Sequence, residues 1–157
     1  MTPKTRSPKN ERVGTILRRS VGSLVEDWLA RAKQSRELNH LMLSDEDRTG
    51  HLPKLVKDLI VRLSKPRAAA KDSDAISSTT AMAHGKLRYE QGYTPAMLVH
   101  ESRILQVTLF ETLQDNLRFL NVRLLLTDVA TIADEVDAQL AQSMDSFMYA
   151  MKQATAA

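Results

Sequence analysis

From Asn121 to Lys152 the chain runs without a glycine or a proline, and its apolar residues return at alternating three- and four-residue steps. Leu126, Val129, Ala133, Val136, Leu140, Ser143, Phe147 and Ala150 mark this stripe. An α-helix places such residues on one face, whereas a strand would scatter them across two. Thirty helical residues extend about 45 Å, more than a 157-residue globule requires. Part of the helix is therefore expected to bury itself in its own bundle. The rest is expected to serve another helix, with Val129, Val136, Leu140 and Phe147 as the candidate dimer or output seam. Asp128, Asp134, Glu135, Asp137 and Asp145 give the same helix an acidic flank.

The remaining elements have the same character, since only five glycines and five prolines punctuate the chain and β-branched alternation is absent. A first helix is predicted from Asn10 to Lys33, with Val13, Ile16, Leu17, Leu24, Val25, Trp28 and Leu29 on one face and Trp28 as a core anchor. Ser44 followed by Asp45, Glu46 and Asp47 predicts a capped helix start with carboxylates where the amide ends are positive. Gly50 and Pro53 interrupt it, so a short turn should precede a second helix from Pro53 to Leu63. Residues Ser64 to Asp74, with Pro66, three basic residues and three alanines, are the best linker.

A third helix is predicted to begin near Asp74 and to stop at Gly92, and a fourth to begin at Thr94 with Pro95 in its first position. With only Gly92 and Tyr93 between them, these two should form a tight antiparallel hairpin. The sum is an all-α, single-domain antiparallel bundle of five to six helices with a long C-terminal helix. Residues 1–12 read as a basic flexible tail, 13–152 as the helical domain, and 153–157 as a frayed end.

Several classes of function are excluded. The net charge of +3 resides in the first twelve residues, through Lys4, Arg6, Lys9 and Arg12 against Glu11, so no basic face suited to nucleic acid remains in the folded part. The longest apolar runs fall far short of the roughly 20 residues needed to cross a bilayer. No signal peptide is visible, and a cytoplasmic location is the expectation. Without cysteine there is no thiolate metal site or disulfide. No phosphate-binding glycine loop, zinc-ligand spacing or nucleophile elbow occurs, so neither catalysis nor a cofactor nor a metal is expected. His100-Glu101-Ser102-Arg103 imitates the start of a phosphoacceptor box, but Ile104 and Leu105 stand where threonine and proline would follow.

The densest chemistry lies between His84 and Leu105. His84, Arg88 and Gln91 share one helical face. Across the turn Glu101 stands at a similar height, within reach of the Arg88 guanidinium. Gly85 in mid-helix costs about 1 kcal/mol relative to alanine, which implies that another helix packs closely there. His84, Arg88, Gln91, Tyr93 and Glu101 thus form a candidate polar cluster. Such a cluster can fix the register of two helices as a paired, partly buried clamp, or sense ligand, pH or partner through histidine protonation. A haem ligand role for His84 is poorly furnished by three phenylalanines.

These residues also carry a resemblance. His84-Gly85, Arg88, Gln91-Gly92-Tyr93, Glu101 and Leu105, with His51-Leu52-Pro53 upstream and a helix bearing Trp28 before that, resemble the N-terminal domain of RsbT co-antagonist proteins of the RsbRD type. That domain is also found at the front of bacterial sensor histidine kinases. The likeness spans residues 13 to 150 and departs at Gly50, Ser102 and Leu105-Gln106. It implies a non-catalytic, all-helical sensory or regulatory input domain, globin-like in packing but without haem. Its implied partners are a second copy of the chain and a downstream output, either a kinase core or an anti-sigma-antagonist domain of a stress-response assembly.

Overall fold

A computed structural model describes residues 10–65 and 78–157, and among them the fold is an all-α bundle. Six helices follow in order: α1 (Val13–Gln34), α2 (Asp45–Thr49), α3 (Leu52–Ser64), α4 (Thr79–Glu90), α5 (Pro95–Asp115) and α6 (Val122–Ala156). A short 3-10 turn, Leu117–Phe119, joins the last two. The predicted linker from Pro66 onward, and the predicted start of the third helix at Asp74, lie outside the described residues, as does most of the predicted tail.

The helix starts obey their local signals. The Ser44 hydroxyl accepts from the Asp47 amide, Thr94 accepts from that of Met97, and Ser78 from that of Ala81. Each thereby satisfies an amide that the first turn leaves free. Gly92, at φ 85°, takes the left-handed conformation that ends α4.

Two details differ from expectation at the first helix. It starts at Val13 because Glu11 is held extended, its amide donating to the Phe119 carbonyl and its own carbonyl accepting from Asn121. Residues 10–12 are therefore pinned to the α5–α6 turn and are not part of a loose tail. Arg12 adds an ion pair to the buried Asp128 at 3.2 Å. No local pattern announces such a long-range bridge.

The core is apolar around α1. Ile16, Leu17 and Leu24 are completely buried, with Trp28 at 2% exposure beside them. Val56, Leu59, Ile60 and Leu63 of α3 and Leu98, Leu105 and Leu109 of α5 close over this face. Burying each such side chain contributes roughly 1.5–3 kcal/mol.

The predicted hairpin is corrected. α4 lies along α6, not along α5, while α5 packs on α1 and α6. Gly85 is the reason: a methyl group there would stand 1.9 Å from the Ser143 carbonyl oxygen of α6, so only glycine permits this crossing. The Ser143 hydroxyl then donates to the Ala81 carbonyl at 2.8 Å.

The predicted seam is also corrected. Val136 (3% exposed) and Phe147 (1%) sit in the chain's own core, the latter edge-on to Tyr89. Val129 and Leu140 are partly buried against it. Three-and-four spacing names a face of a helix but not the chain that covers it.

Candidate functional site

The gap left between α4 and α5 is spanned by charged side chains. Glu101 on α5 is buried at 3% exposure and Arg88 on α4 at 2%, with His84 one turn earlier at 8%. Oε1 of Glu101 accepts from His84 Nε2 at 2.5 Å and from Arg88 Nε at 3.1 Å. The guanidinium also donates to Gln91 Oε1 at 2.6 Å and to the carbonyls of Asp47 and Arg48 at 3.1 and 2.6 Å. Its plane lies 4.8 Å from the Tyr93 ring centre. All five residues expected to cluster are therefore together, although their helices do not form the hairpin from which the cluster was argued.

Burial would push the Glu101 carboxyl upward, but His84 and Arg88 outweigh it and hold it below its ordinary range. Burial first, and then the negative charge of Glu101, push the Tyr93 phenol up and keep it protonated. Tyr93 is close enough to feel that charge, yet its hydroxyl makes no hydrogen bond of good geometry. Oε2 of Glu101 and Nδ1 of His84 are also buried without a partner in the protein.

Two contributors escaped the sequence reading. Arg48, buried at 6%, donates to the carbonyls of Leu38 and Leu41 at 3.1 and 2.6 Å, and so folds the α1–α2 loop onto the cluster. It stands in an acidic stretch that resembles a solvated turn. His51, at the head of α3, meets the His84 ring edge-on at 5.6 Å. Burial, then the positive surroundings of His84, Arg88 and Lys54, hold its imidazole below the ordinary histidine range despite Glu101. The His51-Leu52-Pro53 motif was the available signal.

The other candidates fall elsewhere. His100 points away from the cluster, partly exposed and 3.5 Å from Glu37. Among the described residues no group of three or more metal-ligating side chains is gathered, and no helix is long and apolar enough to cross a membrane.

A small cavity of about 40 Å³ adjoins the cluster, lined by His84, Arg88 and Glu101 together with Trp28, Val136 and Gln139. It is not sealed from solvent. The cluster can thus donate to and accept from a small guest, while its charges are already largely paired.

No family model, curated protein or solved structure matches this chain.

Proposed function

We propose that this chain is a non-catalytic regulatory input domain of the RsbRD type, which passes a change at the Glu101 cluster to an output through α6. One observation carries the reading: His84 and Gly85 are neighbours on α4, and they face the two sides of the relay. His84 grips Glu101 on α5, while Gly85 rests on the Ser143 backbone with no room for a methyl group. A displacement of α4 at the cluster must therefore be taken up by α6, because packed interfaces do not deform continuously. The alternative of a static scaffold fits less well, since a scaffold needs neither unpaired buried atoms nor a cavity beside its clamp.

The output is a kinase core or an anti-sigma-antagonist domain of a stress-response assembly, and the active form is a homodimer. The second copy is assigned to the first third of α6 in place of the seam drawn from the heptads. There Val122 and Leu126 are exposed at 69% and 82%, beside Leu117 at 48%. Phe110, Leu113, Leu125 and Val129 line a groove of about 240 Å³ next to them. The rim carries Asp115 and Arg123, exposed and of opposite sign, which a two-fold axis would bring together. Leu126→Glu is expected to leave the fold intact and turn a sedimenting dimer into a monomer. A wild-type monomer at high micromolar concentration removes the dimer from the proposal.

The relay is tested with spin labels at Met42→Cys and Tyr149→Cys, both highly exposed positions in a chain that has no other cysteine. Glu101→Gln should shift the label-to-label distance by about 1–2 Å, the usual size of a helix shift. An unchanged distance in a folded variant rejects the relay.

A further inference from the structure

The cavity beside Glu101 is walled by every helix of the fold. Trp28 comes from α1, Arg48 from α2, Leu55 from α3, His84 from α4, Glu101 from α5 and Gln139 from α6. A molecule seated there touches all six helices at once.

Size, charge and hydrogen bonding together specify the guest. A cavity that takes benzene measures about 150 Å³, and one water needs about 10–15 Å³. A space of about 40 Å³ therefore suits roughly two to four heavy atoms. The walls are chiefly apolar, with Trp28, Leu55, Leu105 and Val136 among them. A cation would meet the guanidinium groups of Arg48 and Arg88, and an anion would meet the free oxygen of Glu101, so the guest is neutral. Oε1 of Glu101 is engaged by His84 and Arg88, while Oε2 is buried and has no donor in the protein. A buried carboxylate oxygen without a donor is costly, and a guest that donates to it is favoured over one that only accepts.

We infer that this cavity binds a small neutral molecule of the short-chain alcohol type, its hydroxyl donating to Glu101 Oε2 and its hydrocarbon end lying against Trp28 and Val136. The inference rests on the input-domain reading, for which it supplies the class of signal.

Trp28 is the only tryptophan in the chain, so its fluorescence reports on the cavity directly. The probes are ethanol and dimethyl ether, isomers that differ in having or lacking a donor. Ethanol should give a saturable change in Trp28 emission, with affinity about tenfold higher than that of the ether, as expected for one hydrogen bond to a charged acceptor. Glu101→Gln, which places an amide donor at that position, should bring the two affinities together. Val136→Leu, which adds a methylene to the cavity wall while leaving the clamp untouched, should abolish binding of both.

Equal binding of the isomers by the wild type overturns the donor assignment. A non-saturating response, or binding undiminished in Val136→Leu, overturns the site. The spin-label pair separates this from the larger proposal. Saturable binding of ethanol with no change in distance leaves the site standing and rejects the input-domain reading. An absent ethanol response beside a distance shift in Glu101→Gln does the reverse.

Discussion

The contact of α1 with α3 and the contact of α4 with α6 are built on opposite principles. The first is apolar throughout, from Ile16, Leu17 and Leu24 to Val56, Leu59 and Leu63, and even its glycine is roomy: a methyl on Gly14 would meet Leu63 at an ordinary 3.8 Å. The second has no such reservoir. The buried residues of α4 are Ala81, His84, Gly85 and Arg88, and three of the six on α6 are polar, namely Asp128, Gln139 and Ser143. Hydrophobic burial is non-directional and sets stability, whereas hydrogen bonds and a backbone-to-backbone contact set position. The molecule holds together on one side and keeps its register on the other.

Mutation of the two sides should therefore produce different kinds of damage. The largest effect is expected at Gly85→Ala, where the added methyl meets backbone that cannot swing aside. A loss of about 4 kcal/mol in denaturant melts is the prediction, at the upper end for overpacking, and a loss below 1 kcal/mol would show that the α4–α6 crossing is loose. Glu101→Ala comes next, at about 3 kcal/mol, because it leaves Arg88 buried without its carboxylate. Since the folded Glu101 carboxyl titrates below its ordinary 4.5, its contribution is present above that pH and disappears as pH falls through the folded value. A stability change under 0.5 kcal/mol for this variant would mean that the clamp contributes nothing.

The smaller effects sharpen the contrast. Gly22 lies exposed in α1 with nothing within 4 Å of an added methyl, so Gly22→Ala should raise stability by about 0.5–1 kcal/mol through helix propensity alone. The same chemical change thus has opposite signs on the two sides, and thermal melts of the pair give a direct reading of it. At His51 the folded imidazole titrates below 6.5. The unfolded chain therefore takes up a proton first as pH falls through that value, and stability declines with it. His51→Asn should flatten the dependence of melting temperature on pH just below 6.5; an unaltered slope would place the titrating group elsewhere.

Much of this was legible beforehand, for identifiable reasons. Helices follow from spacing, and their ends from Ser44, Thr94 with Pro95, and Gly92, all of which act within one turn of chain. The polar cluster was legible because His84, Arg88 and Gln91 share a face whatever lies opposite. Partnership was not. Gly85 announced that some helix comes close, but nothing local says whether that helix is α5 or α6, so the hairpin was drawn against the wrong neighbour. The same blindness placed Val136 and Phe147 in a seam between chains. Arg48 was invisible because its partners are the carbonyls of Leu38 and Leu41, which carry no side-chain signature.

The close seat of Gly85 on Ser143 makes α6 a lever with a defined fulcrum. Phe147 is the last residue of α6 to be buried, and the helix continues to Ala156. From Ser143 to that end the axis runs about 20 Å at 1.5 Å per residue. A tilt of about 10° at the crossing would therefore carry the tip roughly 3 Å sideways, several times the sub-ångström shift that begins such transitions. The glycine that costs α4 some helical propensity is thus also the pivot that sets the mechanical gain of the last helix.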